Sequence, residues 1–375
     1  MAGSLRFAPM VTVAIDSGPL HGPRTGIGNA VAWTFDALRS LPPADAVELR
    51  PYVVSMRAAV TPPERRLPIP AAVAHRVWAR TSMLRADRLL GHPDVVHGTN
   101  YVVPPARAPR LVTVYDCWFL DHPEHAHPDV ARAGEILRRA VDTGATVVTS
   151  STATTDRVGE LLGVDAVTIH LGAPPSTSPP ESRPATLPPH LDDDPFVLAL
   201  GTVEHRKNLP LLVQAFALLA REHERVRLVI AGRDGDDAAA LDSALGELPG
   251  DAAARVDRVR FLDEPAKHWL LHHAVALAYP SLDEGFGFPA LEAQLAETAV
   301  VASSAGSIPE VAGSGALLSL PSDAHALAAN LHWVVTSESR RNELIDLGRL
   351  NVARFSWDDT ARHLADLYRR VAEEA

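Results

Sequence analysis

The chain has 375 residues, 46 % of them apolar and 22 % charged, which suits about two or three folded domains and argues against a disordered chain. A single cysteine, Cys117, excludes a disulfide framework and a cysteine-cluster zinc site. No apolar run reaches the ~18 residues of a membrane-spanning helix, no secretory leader is visible, and a formal charge of −11 disfavours nucleic acid as a partner, so the cytoplasm is the expected location.

The charge is unevenly spread. Residues 1–180 hold 17 arginines against 16 acidic residues, whereas the rest holds 18 basic and 30 acidic residues. Of the 35 basic residues 33 are arginine, and Lys207 and Lys267 are the two lysines. Residues 57–88 concentrate seven arginines against Glu64 and Asp87. That stretch reads first as a solvated face. As a functional patch it would suit an anionic acceptor or a lipid surface.

Along the chain, short β-branched runs alternate with longer amphipathic stretches. The runs cover 10–15, 94–97, 111–115, 146–149 and 167–170, then 196–201, 227–232, 259–262, 275–279 and 300–303. Apolar runs of this length without polar alternation predict parallel strands covered on both faces. The intervening helical patterns make this the βαβ alternation of doubly wound sheets. Between the two series, 173–195 holds eight prolines, a density that neither a helix nor a central strand accepts. It predicts an exposed linker. The predicted domains are 1–175, a linker at 176–195, a second domain at 196–355 and a closing helix at 356–375, with Ser356 and Asp359 as its capping box.

Four clusters could carry chemistry. Thr25-Gly26-Ile27-Gly28-Asn29 follows the first strand and enters a helix, where glycines admit a ligand to the backbone and the helix N-terminus favours an anion. A tight turn without ligand is an equal reading, and Val31 breaks the dinucleotide fingerprint. The loop from Gly201 to Asn208 places Arg206 and Lys207 at a helix start with Asn208 as predicted N-cap, a fork and a point charge suited to a diphosphate. In 283–292, Glu284 and Glu292 bracket another helix start, Glu292 in its predicted first turn, with Gly285 and Gly287 between them. Carboxylates there can read sugar hydroxyls by accepting their hydrogens. Last, Tyr115-Asp116 ends a strand, near His97, Asn100, His122, His125 and His127 in sequence. Strand ends of this kind hold ligands in open α/β sheets, and no metal is assigned there.

At these residues a family is recognisable. GTVEHRKNLPLLVQAF, LVIAG, ALAYPSLDEGFGFPALEAQ, SIPEVAGSGALL, TGIGN, HGTNYVVPP, VTVYDCWFLDHPE, VVTSS and FSWDDTA resemble retaining glycosyltransferases of family 4. The resemblance implies a GT-B fold, two Rossmann-like doubly wound α/β domains facing a cleft, with the C-terminal helix crossing back to the first. It implies that Glu292 holds the ribose hydroxyls, that Glu284 with backbone groups of Phe286 and Gly287 holds the donor sugar, and that Arg206 and Lys207 clamp the diphosphate. Gly26 and Gly28 would close on the same phosphates, the base would lie against the loops after Gly232 and Leu262, and Gly201 would also belong to the donor site. On the acceptor side it leaves Asp116, Tyr115 and His97, with Tyr115 standing where many relatives carry histidine.

The expected activity is retaining transfer of a hexose, mannose-like by resemblance, from a GDP- or UDP-linked donor to an acceptor hydroxyl, with no cofactor and no catalytic metal. The acceptor would be a glycan, a lipid-linked sugar or a small metabolite. A nucleotide-sugar epimerase and a non-catalytic nucleotide-sugar-binding subunit are the alternatives on the same fold.

Overall fold

The computed structural model describes residues 10–22, 24–125 and 128–375. The chain divides into two compact units, Met1–Gly172 with Ser356–Ala375, and Ala173–Phe355.

In the first unit the described strands are β1 (Thr12–Asp16), β2 (Glu48–Val54), β3 (Arg65–Leu67), β4 (Val95–Gly98), β5 (Arg110–Val114), β6 (Thr146–Thr149) and β7 (Ala166–Thr168). They form one parallel sheet in the order β3-β2-β1-β4-β5-β6-β7. In the second unit β8 (Phe196–Leu200), β9 (Arg227–Ala231), β10 (Val256–Val259), β11 (Ala276–Tyr279), β12 (Ala299–Ser303) and β13 (Ala316–Ser319) form a parallel sheet ordered β10-β9-β8-β11-β12-β13. Both are doubly wound. Strand order reverses between β1 and β4 in one and between β8 and β11 in the other, and loops at such reversals form the ligand crevice of an open sheet.

Burial on both faces explains the unbroken apolar runs. In the second unit Val197, Leu228 and Ile230 pack with Leu212, Phe216 and Leu219 of the helix Leu209–Glu222. Leu198, Val229 and Leu277 face the other way, onto Trp269, Leu270 and Ala293. Each such side chain contributes about 1.5–3 kcal/mol on burial.

The terminal helix is Trp357–Glu373, and the Ser356 hydroxyl accepts from the Asp359 N–H at its start. Its stripe of Ala361, Leu364, Leu367 and Tyr368 joins Val13, Ile15, Phe35 and Leu111 in the core of the first unit. The C-terminal helix thus returns to the first domain.

Several local expectations change. Residues 173–195 are not simply an exposed linker: Leu187 and Leu191 are buried in the second unit's core, and the Thr177 hydroxyl lies 2.6 Å from His268 Nδ1. Prolines confine the backbone without keeping the leucines between them in water. Strands β2, β3 and β13 fall outside the predicted runs, and β10 begins earlier than 259. Pro51 interrupts β2, two arginines fill β3, and β13 is a half-covered edge, so none shows the apolar signature of a central strand. Two of the seven arginines in 57–88 belong to β3 and Arg76 to the helix Ala71–Trp78.

Candidate active site

The loops after β8 and β11 meet at the reversal of the second sheet. A turn at Gly201 leads into His205–Lys207 and then the helix Leu209–Glu222. Asn208 is not the predicted side-chain cap. Its backbone is left-handed (φ 53°), which swings the amide away from the helix, and Nδ2 donates to the carbonyls of Pro280 (3.2 Å) and Pro321 (2.8 Å). Asn208 therefore ties the loop to the end of β11.

That tie brings Arg206, Lys207 and Glu284 together. The Glu284 side chain is 7 % exposed. It takes a short ion pair from Arg206 Nη1, accepts from Lys207 Nζ at 2.5 Å and from the Ser281 hydroxyl at 2.7 Å. Burial by itself would raise this carboxyl, but Arg206, Lys207 and Ser281 hold it down at about 2. For Lys207 burial outweighs the attraction of Glu284 and the ammonium pKa is lowered. Lys207 Nζ also donates to the Tyr279 hydroxyl at 3.3 Å and lies 4.8 Å from the centre of its ring. Arg206 bonds the Asp283 carbonyl and Glu204. The sequence reading gave the two cations and Glu284 to different ends of a donor; the structure makes them one buried ion cluster.

The loop continues into the helix Phe288–Leu295, whose start is set by Gly287 at φ 98°. Phe286 is buried edge-on to Phe288 and Phe355, and its carbonyl accepts from the Ser307 hydroxyl. That bond takes the Phe286 carbonyl for the fold, because Ser307 opens the neighbouring helix Ile308–Ala312 behind the loop. Glu292 is the fifth residue of its helix, one residue further in than predicted and just past the first turn, because the helix already begins at Phe288. It pairs with Lys267 at 3.2 Å. Lys267, which no motif in the sequence absorbs, is thus the partner of the second acidic site residue. Leu262 is half-buried against the core, beside an exposed Phe261.

In the first unit, Thr25 caps the helix Gly26–Arg39 by accepting from the Gly28 N–H. A Cβ on Gly28 would stand 2.9 Å from the Pro19 carbonyl oxygen, whereas one on Gly26 meets nothing within 4 Å. Gly28 is therefore explained by packing, and Gly26 keeps the open approach.

His97 is not an acceptor-side base. It is 2 % exposed, with Nδ1 2.7 Å from the Tyr368 hydroxyl and Nε2 2.8 Å from that of Thr113. Burial pushes its pKa down to about 3 and keeps it neutral. It joins the terminal helix to β5. Tyr115 is also buried, and burial with Asp16 nearby raises its phenol. Asp116 accepts from the Tyr101 hydroxyl (3.1 Å) and the Trp118 N–H (3.2 Å). The sequence reading missed Asp16, at the C-terminal end of β1, which burial pushes up to about 6 against the Gly18 N–H and Thr99. Its signal was its place at the end of the first strand. His127 lies outside the described residues.

Residues 187–350 match the family described as "Glycosyl transferases group 1", and the match covers the segment that holds the Arg206–Lys207–Glu284 cluster. O-antigen chain mannosyltransferase B of Escherichia coli is 29 % identical over 287 residues, 73 % of this chain and 74 % of that one. Serotype-specific mannosyltransferase WbdA of the same organism is 32 % identical over 173 residues, 46 % of this chain but 21 % of that protein. Among solved structures, sucrose-phosphate synthase of Thermosynechococcus elongatus superposes with a TM-score of 0.72 over 97 % of this chain and 100 % of that one, at 18 % identity. Sequence match and fold agree: residues 187–350 form a group 1 glycosyltransferase domain, and the chain as a whole has the GT-B fold.

Proposed function

We propose that the chain is a retaining hexosyltransferase that moves a mannose-like sugar from a nucleoside-diphosphate donor to an acceptor hydroxyl. The observation that carries this is the Arg206–Lys207–Glu284 cluster at the sheet reversal of the group 1 domain. A diphosphate brought to it meets a guanidinium fork, an ammonium and the start of the helix Leu209–Glu222. These supply the positive field that a departing diphosphate needs, without calling on a metal. Glu284 orients both cations and offers carboxylate to the sugar hydroxyls together with the Phe286–Gly287 backbone. Glu292 accepts from the ribose hydroxyls, and the loops after Gly232 and Leu262 take the base.

The reaction proceeds as front-face displacement. The bond from the acceptor oxygen to the anomeric carbon forms on the side from which the phosphate oxygen departs, and that oxygen takes the acceptor proton. No enzyme nucleophile is consumed. In the first unit, Asp116 orients the acceptor hydroxyl and Gly26 keeps its loop open to an anion. The mannose preference rests on the mannosyltransferase relatives.

The same first unit supports contact with an anionic membrane and hence a lipid-linked acceptor. Within the arginine-rich segment Val73, Met83 and Leu84 are exposed, as are Met56 and Leu89 at its two ends, and Val73, Met83, Leu84 and Leu89 line a cavity of about 1510 Å³ together with Arg85 and Arg88. Apolar tips among guanidinium groups are the surface that inserts at a lipid headgroup layer. No helix among the described residues is long and apolar enough to cross a membrane.

A thermal-shift panel of GDP- and UDP-sugars tests the donor reading, since ligand binding raises stability by mass action. Stabilisation by one nucleotide sugar, lost in Lys207→Ala and Glu292→Ala, is expected. No stabilisation by any member defeats the reading. Release of nucleoside diphosphate with a chosen acceptor separates transfer from silent binding, and conversion of the free nucleotide sugar would indicate an epimerase. Sedimentation with anionic but not zwitterionic vesicles, weakened by salt, tests the membrane surface.

A further inference from the structure

The helix Leu209–Glu222 ends at Glu222, with His223 as its C-cap, and lies against the helix Ala324–Thr336, which carries His332. His332 Nδ1 is 2.9 Å from Glu222 Oε2 and 3.0 Å from His223 Nε2. Three lone-pair atoms from two helices converge there, and their ligating atoms all lie within 4.8 Å of one another. With neutral imidazoles, hydrogen bonding serves them poorly. If His332 Nδ1 carries the hydrogen, one proton faces two acceptors. If it does not, its lone pair faces the carboxylate. A cation in place of that proton would satisfy all three.

We propose that Glu222, His223 and His332 bind a divalent transition-metal ion of the zinc class. Two imidazoles and a carboxylate are a zinc donor set, leaving a fourth position for water. Tetrahedral coordination at about 2.0–2.1 Å spreads the ligands to roughly 3.3 Å apart, so the two His332 contacts need to open by about 0.3–0.4 Å while Glu222 and His223, whose ligating atoms lie within 4.8 Å, draw together. The backbone is already fixed. The His223 N–H bonds the Leu219 carbonyl, its own carbonyl accepts from Arg255, and the His332 carbonyl accepts from the Thr336 hydroxyl. Leu219 and Leu331 pack in one core beneath the pair. Glu222 is exposed and both histidines are half-buried, so the site is open to an ion from solution.

The helix between Lys207 and Glu222 is roughly 20 Å long at about 1.5 Å per residue. The ion therefore sits far from the Arg206–Lys207 cluster. Its effect is to cross-link two helices of the second unit, not to take part in transfer.

The test is calorimetric titration of the full chain, stripped with a chelator, with zinc chloride. The other histidines supply the same background in every variant. One equivalent of zinc is expected to bind the wild type at least tenfold more tightly than His332→Ala or Glu222→Gln, and to raise the wild-type melting temperature but not theirs. Glu222 is exposed, so Glu222→Gln reports on binding without a folding defect. Identical isotherms for the wild type and both variants would overturn the proposal.

Discussion

Lys267 Nζ lies 3.2 Å from Glu292 Oε1 and 3.0 Å from Glu264 Oε2, with the Lys267 and Glu292 side chains 16 % and 18 % exposed. Burial pulls the Lys267 pKa down, but the two carboxylates more than offset it and the net shift is upward. A charged hydrogen bond of this kind stabilises by about 1.5–3 kcal/mol. It also leaves the other Glu292 oxygen to accept from a ligand. Lys267→Met should raise the KM for the nucleotide sugar about tenfold with kcat little changed, and Lys267→Arg should recover part of the loss. An unchanged KM would remove Glu292 from donor binding.

Glu284 fixes an acid limit for the second unit. Its pKa is depressed from 4.5 to about 2, so the stability it contributes is fully present above about pH 4.5 and is lost as pH falls towards 2. Glu284→Gln should abolish that window. It also leaves two buried cations without their anion, at about 3–5 kcal/mol. Denaturant unfolding of the wild type and the variant between pH 2 and pH 6 reads both effects.

His97 sets a second window in the first unit. A buried neutral imidazole with a pKa near 3 means that the unfolded chain takes up the proton first as pH falls below about 6.5. Stability then declines by roughly 1.4 kcal/mol per pH unit until about pH 3. His97→Phe should flatten this slope and cost about 2–4 kcal/mol through the lost bonds to Tyr368 and Thr113. Nucleotide-sugar affinity should be unchanged, because the residue belongs to the core.

The two glycines before Asn29 should separate in mutagenesis. Gly28→Ala drives a Cβ to 2.9 Å from a backbone carbonyl and should cost about 1–3 kcal/mol. Gly26→Ala meets nothing and should leave the melting temperature unaltered. Any effect of Gly26→Ala then falls on ligand binding, measured as donor affinity.

Central strands and the carboxylate-bearing loop were legible because their signals are local. Runs such as 196–201 need no partner to be read as buried strands, and the glycines and proline around Glu284 announce a helix start. The misreadings involve contacts between distant parts of the chain. His97 meets Tyr368 271 residues away, so its burial has no trace nearby. Lys267 meets Glu292 across two helices and looks incidental in sequence. Asn208 is a good capping residue by type, but the carbonyls of Pro280 and Pro321 compete for its amide and win.

The backbone N–H of Ala173 donates to the carbonyl of Phe355 at 3.1 Å. The second unit is in this sense an insertion whose two ends meet, placed inside the sequence of the first. The first unit's core includes Val13 from near one end of the sequence and Tyr368 from near the other. On the ribosome, Ala173–Phe355 can close its own core while it is being made, whereas the arginine-rich first unit must wait for the last helix. The later sequence is then the earlier to mature, and loss of Ser356–Ala375 would leave a finished second unit attached to a first unit with an open hydrophobic face.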